Sequence, residues 1–511
     1  MQHAIGELVS EAARRFGDKT ALIHEGRHWS FNALDEASDH LAASLQSLGI
    51  AAGDRVSLYA PNSAEWIVAY YAVLKLGGVV NPLNLMLTPQ EAAYAMNDCD
   101  AAAVFGIAEK IAALAPVRQQ TQLRHLISHG PKGTAALPEG TLAFDDLIER
   151  GKGLLLVKPA IETGSLSTIG YTSGTTGHPK GAMLTHEGIL LNTAMTATMH
   201  MRTERDVVVS ALPCSHVYGN VVMNAAIAYG MTLVLHRTFD AAAVLDSIEQ
   251  HRATMFEGVP TMYMYLLGVP DIGKRDLSSL TRCTVGGQTM PVAKMEEVQA
   301  LLGCPLLELW GMTELGGLGT THSAYGPSRL GSIGVALPHM QARIGAPEDP
   351  THELPMGDVG ELQMRGRLTM LGYLNRPDAT AETLISGGWL RTGDLAKIDE
   401  DGCVTIVDRL KDMIITAGFK IYPAELERAI AEHPDVAMVA VGSIPDAEKG
   451  ELAKAYIVLK PGARSEAAAF EQHCRERLAA YKVPRAFAFV AELPKTSSGK
   501  VMRRLLRQLD A

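Results

Sequence analysis

Between Tyr171 and His186 the chain reads YTSGTTGHPKGAMLTH, a run dense in hydroxyls and glycines. Ser173, Thr175 and Thr176 supply hydroxyl donors, Gly174 and Gly177 let backbone N–H groups approach an anion closely, and Lys180 adds a positive charge. Such a loop can enclose phosphates. It is not the Walker arrangement, because the lysine lies beyond Pro179 and no Gly-Lys-Ser or Gly-Lys-Thr follows. A polar surface linker shares the composition but has no need of this order.

Four later segments carry further chemistry-bearing residues: WGMTE (310 to 314), WLRTGDLAKIDEDG (389 to 402), VDRLKDMIITAGFKIYPAELE (407 to 427) and LPKTSSGKVMRR (493 to 504). With YTSGTTGHPKG they resemble, in order and along nearly the whole chain, the motifs of the adenylate-forming superfamily of acyl-CoA synthetases, peptide-synthetase adenylation domains and beetle luciferases. Five ordered matches are far more specific than any one alone.

The resemblance implies an ATP-dependent carboxylic acid:CoA ligase that works through an acyl-adenylate. A carboxylate is a poor electrophile, so it is first joined to AMP as a mixed anhydride, and that step needs donors and a divalent metal where negative charge collects. The resemblance makes Thr313 a partner of the α-phosphate and Glu314 an oxygen ligand for Mg²⁺. Lys500, charged at neutral pH with a reference pKa of ~10.4, would bridge the attacking carboxylate and the phosphate. Around the nucleotide it places Thr172, Ser173, Gly174, Thr175, Thr176, Gly177 and Lys180 on the phosphates. Trp310 offers a flat face to adenine, with Gly311, Met312, Ile406 and the platform Gly286, Gly287 and Gln288 alongside. Asp394 would accept from the ribose hydroxyls with Arg409 assisting. Two departures stand out: the family often has tyrosine at Trp310 and Gly-Ala-Pro at Gly287, Gln288 and Thr289.

Lys411 sits where the family places its hinge. The resemblance implies that a small domain first presents Lys500, then rotates so that the loop around Gly418 lines a channel for the pantetheine thiol. Lys420 and Lys482 are candidates for coenzyme A phosphates, although a solvated lysine is the commoner outcome.

SHVYGNVV (215 to 222) resembles the segment that lines the acyl pocket. His216, Val217, Tyr218, Val221 and Val222 would form an apolar wall, and Gly286, Gly316, Gly317 and Leu318 would border it, the glycines leaving volume for a chain or ring. No Asp, Glu, Lys or Arg occurs from Ser215 to Ala228, so an amino acid's α-ammonium has no evident partner there, and burying it unpaired is costly. An apolar medium or long fatty acid is expected. An aryl or hydroxycinnamate acid follows, with Tyr218 either bonding a phenol or serving structure. A stand-alone adenylation enzyme loading a carrier protein and a non-catalytic nucleotide-binding protein are the remaining alternatives.

These residues need a scaffold. Trp66, Ala69, Tyr70, Val73 and Leu74 recur at helical spacing after a capping pair read at Asn62 and Glu65, and Gly77 and Gly78 stop that helix. Thr88, Pro89 and Glu91 open another. Short apolar runs (Arg55 to Tyr59, Val207 to Ala211, Thr232 to Leu235) alternate with the helices and read as buried, largely parallel strands. The expectation is an α/β protein: a large N-terminal domain of stacked mixed β-sheets with helices (1–408), carrying the ATP and acyl sites, and a small mobile α+β C-terminal domain (409–511). In the latter, Pro423 to Glu432 and about Glu466 to Ala480 read as helices, Val436 to Val441 and Ala455 to Leu459 as strands, and the basic end as loop.

With 511 residues the chain exceeds one hydrophobic core, and 47% hydrophobic and 20% charged residues are ordinary for a globular enzyme. A net charge of -10 lacks the basic field that nucleic acid demands. Six dispersed cysteines suggest neither a disulfide framework nor a zinc site. The N-terminus shows no secretory signal, and the most apolar stretch, Val221 to Leu235, is too short to span a bilayer. A cytoplasmic protein is expected, with ATP, Mg²⁺, coenzyme A and a small carboxylic acid as partners, no tightly bound organic cofactor, and a homodimer as an allowed assembly.

Overall fold

A computed structural model describes residues 4–130, 135–172, 179–326, 329–417, 419–446, 448–464, 466–496 and 501–510. The largest sheet has nine strands, in spatial order Val335–Ala336, Gly317–Thr321, Leu306–Met312, Arg282–Gly286, Met255–Gly258, Val207–Ser210, Thr232–Leu235, Thr20–His24 and Arg27–Ser30. Its middle is parallel and its edges antiparallel. Runs such as Val208–Val209 are buried because helices cover both faces. The seven-stranded second sheet is parallel until its last pair, where Leu166–Thr172 and Lys180–Thr185 run antiparallel with Thr172 opposite Lys180. Thr172 and Lys180, on either side of the hydroxyl-glycine sequence, are therefore paired at a sheet edge.

A five-stranded antiparallel sheet follows, built on Gly360–Gly366 and Trp389–Ile398. One continuous apolar core joins these three sheets. From Ile414 onward a fourth sheet, centred on Gly450–Leu459 and Ile414–Thr416, packs with helices Pro423–Ala431 and Ala467–Arg475 around separate apolar clusters. The mixed sheets with a small α+β unit agree with the sequence-based fold class.

Locally, Thr88, Pro89 and Glu91 form a reciprocal capping box with proline at the first turn. The capping pair read at Asn62 is corrected: Ser63 caps helix Ala64–Lys75, its hydroxyl accepting from Trp66 N at 3.0 Å. Asn62 instead donates to Leu212 O and His236 O and accepts from Cys214 N at 2.8 Å, stitching the two large sheets together. The apolar stretch from Val221 splits into the end of helix Val217–Ala228 and strand Thr232–Leu235, turning at Gly230 with φ +68°. No helix among the described residues is long and apolar enough to cross a membrane. The basic end holds a further strand, Ala486–Phe489, parallel to Gly450–Leu459, and a 3-10 segment, Arg503–Asp510. Strand Val436–Asp446 also runs five residues past its expected end.

Glu308 lies inside strand Leu306–Met312, 3% exposed, with Oε2 lacking a hydrogen-bond partner. Burial pushes its carboxyl up to about 8, against a hydrogen bond from Gly331 N and the field of Arg428. The folded value lies above the ordinary one, so its contribution to stability is complete below the normal carboxyl range and is lost as pH rises through about 8, at up to about 1.4 kcal/mol per pH unit. Glu308→Gln is therefore expected to show a melting temperature that gains on the native chain steadily from pH 5 to pH 8; a constant gap would mean that Glu308 is already ionised in the fold.

Candidate functional site

In the nine-stranded sheet the chain leaves Val207–Ser210 to one side, toward Thr232–Leu235, and returns on the other at Met255–Gly258. Such a reversal opens a crevice beyond the C-terminal ends of the strands. A cleft of about 920 Å³ lies at this end. Pro260, Thr261, Gly287, Gln288, Trp310 and Gly311 line its floor; Asp394, Ile406, Asp408, Arg409 and Lys411 form one side. The small unit closes it with the strand from Val436 to Ser443 and with Val501, Met502 and Arg503.

Asp394 and Arg409 are cross-strand partners on Trp389–Ile398 and Val404–Arg409, and this register puts the guanidinium beside the carboxylate, Nε to Oδ1 2.6 Å. Trp310 Nε1 donates to Asp394 Oδ2 at 2.8 Å. The carboxylate, 4% exposed, is thus held from both sides at the cleft wall. Its remaining lone pairs suit a pair of vicinal hydroxyls. Gly287 continues strand Arg282–Gly286 with φ +94° and places Gln288 on the cleft floor.

After Met312 the chain makes a 3-10 turn, Thr313–Leu315, ended by Gly316 at φ +63°. Gly170 on Leu166–Thr172 faces that turn, where an added Cβ would lie 2.7 Å from Thr313 Cγ2. The missing side chain lets the Thr-Glu pair press on the strand that leads to Thr172 and the phosphate-type loop. Glu314 is buried, Tyr373 OH donates to its Oε1 at 2.7 Å, and burial raises its pKa. The Lys180 ammonium stands 5.3 Å from the Tyr373 ring centroid. Thr172, Lys180, Thr313 and Glu314 therefore gather at one place, and Tyr373 is a member that the sequence reading missed. Ser173, Gly174, Thr175, Thr176, Gly177, Gly418 and Lys500 lie outside the described residues. The sequence neighbours of Lys500 are informative: Thr496 and Val501 line the cleft, and Lys495, bridged to Val501, donates to Tyr265 OH at 2.6 Å.

The acyl-wall candidates lie behind this cleft. His216 caps helix Val217–Ala228, its Nδ1 accepting from Tyr218 N at 3.3 Å. Val221, Val222 and Leu318 are buried. The Tyr218 hydroxyl meets Thr284 Oγ1 at 2.6 Å, Thr284 donates to Glu257 Oε2 at 3.0 Å, and Glu257 pairs with Arg202 at 2.9 Å, both fully buried. Tyr218 thus serves a buried polar network. Two of the glycines expected to leave volume do otherwise: a Cβ at Gly317 would lie 2.6 Å from Val221 Cγ2 and 2.7 Å from Asn192 Oδ1, and one at Gly286 would lie 2.2 Å from Leu309 Cδ1, whereas one at Gly316 would meet Ile189 at an ordinary 3.5 Å. Gly317 brings strand Gly317–Thr321 close against two helices. Asn192, also missed, donates to Leu318 O at 2.8 Å and fixes that approach.

In the small unit, Lys482 pairs with Glu425 at 2.6 Å, so it is not a simply solvated lysine, and Lys420 is exposed. Asp408 accepts from Arg409 N and Ala424 N, both at 2.7 Å, and burial pushes its carboxyl up to about 6.

Comparison with known proteins places this geometry. Residues 9–374 match the AMP-binding enzyme model and residues 425–500 its C-terminal domain. A long-chain-fatty-acid–CoA ligase of Bacillus subtilis is 34% identical over 98% of this chain and 93% of that protein. A Mycobacterium tuberculosis CoA ligase, named for a propanoate carried on a methylated dioxo-octahydroindene, is 35% identical over 98% of each chain. Among solved structures, the anthranilate CoA ligase AuaEII with anthranoyl-AMP superimposes with a TM-score of 0.92 at 28% identity, covering 99% of this chain and 97% of the other. ATP-bound MatB from Rhodopseudomonas palustris gives 0.89 at 31%, covering 99% and 98%. The chain belongs to the AMP-binding enzyme family, among its AMP-forming acid:CoA ligases.

Proposed function

We propose that this ligase activates an apolar monocarboxylate, a medium or long fatty acid first and an aryl acid second, with residues 1–408 forming the nucleotide and acyl domain and 409–511 a mobile domain hinged near Lys411. The observation that carries the assignment of roles is the Asp394 carboxylate, held by Trp310 and Arg409 at the wall of a cleft that Gln288 and the neighbours of Lys500 also line. The apolar wall of Val221, Val222 and Leu318 and the fatty-acid names of the curated relatives support the acid class.

In this reading adenine lies along Trp310, the ribose hydroxyls donate to Asp394, and the phosphates run toward Thr172, Lys180 and Thr313. Glu314, a buried carboxylate whose Oε1 accepts from the Tyr373 hydroxyl, suits a divalent cation that takes its other oxygens from phosphate. Bound there, Mg²⁺ would offset charge on the phosphates. Lys500 would neutralise the acid and the α-phosphate together as the acid oxygen attacks α-phosphorus and the bond to pyrophosphate breaks. After the mobile domain turns, the coenzyme A thiol gives its proton to solvent and attacks the acyl carbonyl, the C–S bond forms, and the C–O bond to AMP breaks, AMP departing with the anhydride oxygen. Lys500 would have left the site by then.

Three measurements test this. A panel of acids scored for pyrophosphate, AMP and acyl-CoA should give its best turnover with apolar monocarboxylates; a preference for amino acids, or product only with a carrier protein as acceptor, would replace the assignment. Asp394→Asn should raise KM for ATP by about tenfold to hundredfold, the worth of hydrogen bonds to a charged acceptor, whereas unchanged KM would remove Asp394 from the ribose. Lys500→Ala should suppress adenylation by orders of magnitude while thioesterification of a supplied acyl-adenylate stays near its native rate; equal losses would mean that its role is misassigned.

A further inference from the structure

Arg503 lies three residues beyond Lys500 and its guanidinium meets three carboxylates: Glu427 Oε2 at 2.7 Å, Asp412 Oδ2 at 3.1 Å and Asp408 Oδ1 at 3.5 Å. These acids come from different elements. Asp408 is the penultimate residue of strand Val404–Arg409 in the five-stranded sheet, Asp412 closes the 3-10 turn Leu410–Asp412, and Glu427 is on helix Pro423–Ala431 of the small unit. Lys411 lies between the first two, so the guanidinium reaches across the hinge assigned above. Asp408 is 3% exposed and its other oxygen accepts from Ala424 N at 2.7 Å, so the same carboxylate also receives the first turn of the small unit's helix.

We propose that Arg503 is a positioning residue for the first half-reaction: through Asp408 it locks the small unit in the orientation that sets Thr496 and Val501, on either side of the sequence that carries Lys500, at the cleft. This rests on the two-step reading above. The physical argument is a difference between two sets of contacts. Asp412 and Glu427 lie past the pivot and travel with Arg503 when the small unit turns about Lys411. Asp408 lies before the pivot and stays. Its bonds to Arg503 and to Ala424 N therefore exist in one orientation and break in the other, and a buried carboxylate gives up such partners only at substantial cost. Burial pushes the Asp408 carboxyl up, with Arg503 the leading opposing influence, which shows how far that acid depends on its cation. Arg503 also shields Asp408, Asp412 and Glu427 from one another; without it three carboxylates crowd one spot. A planar fork with fixed donors suits a three-way junction that a flexible ammonium matches less well.

The test separates the half-reactions in the full-length chain. Arg503→Gln is expected to lower kcat for acid-dependent ATP–pyrophosphate exchange at least tenfold, with KM for ATP within twofold and thioesterification of supplied acyl-adenylate within threefold of native. Arg503→Lys should recover part of the loss. Asp408→Asn, which leaves the Asp412 and Glu427 pairs in place, should reproduce the same split and serves where Arg503→Gln does not fold. Equal losses in both half-reactions, or undiminished exchange, overturn the proposal. Should the native chain itself catalyse no exchange with any acid, the two-step reading fails, and amide hydrogen exchange over residues 408 to 413 still decides the lock: faster exchange in Arg503→Gln and Asp408→Asn supports it, and unchanged protection refutes it.

Discussion

The site depends on a carboxylate that two sheets of the molecule hold in common. Asp394 belongs to the five-stranded sheet, Trp310 to the nine-stranded sheet, and Arg409 to the last strand before the small unit. A carboxylate buried to 4% exposure is costly unless charged or polar partners surround it, so the indole and the guanidinium are required on energetic grounds before any nucleotide arrives. Their requirement fixes geometry. The indole cannot rotate without losing its bond, and the strand register opposes Asp394 to Arg409 at the end of the strand that leads to the small unit.

The second constraint is close backbone approach. Gly170 lets the Thr313 turn settle on the second sheet, and Gly317 lets its strand press on Val221 and Asn192. The first contact joins the nine-stranded and seven-stranded sheets, and the second packs a strand on two helices. Behind them, Tyr218, Thr284, Glu257 and Arg202 form a chain of buried polar groups. A buried ion pair is weak evidence of net stabilisation, but removing one partner strands the other in a dry interior. The proposed acyl wall would therefore be backed by a structure that resists change, and under that reading differences in acid preference should arise from residues nearer the cleft than from Tyr218.

Much of this was legible in the sequence because the motif residues act locally. Thr88, Pro89 and Glu91 satisfy one another within a single helical turn, and Gly77 and Gly78 end a helix wherever they occur. Trp310, Asp394 and Arg409 were assigned to one nucleotide by resemblance, and their mutual bonds bring them together. What stayed hidden was set by distant partners. Asn62 looks like a cap but bonds residues 150 and more positions away, which no local rule reveals. Asn192 sits in an apolar helix and Tyr373 in a loop, and each acquires meaning only when strand Gly317–Thr321 or Glu314 arrives. The packed glycines were misread for a related reason: a glycine in sequence shows that a side chain is missing, and only tertiary structure tells whether empty space or a neighbouring backbone fills its place.

The same distinction bears on how one fold can serve two reactions. The large sheets share one large continuous core beside a smaller cluster on the seven-stranded sheet, whereas the small unit has its own clusters and, among the described residues, meets the rest through polar contacts that include Lys495 with Tyr265, and Asp408 with Arg503 and Ala424 N. Apolar interfaces are difficult to open because the exposed area must be rehydrated, while a few directional polar contacts can exchange for others with water at each end. Under the proposed two-step reading, a cleft roofed by the small unit through such contacts would close firmly enough to position an ammonium and still release it. The strength of that roof, with Asp408 and its partners at its centre, would then govern how long the first arrangement lasts before the second begins.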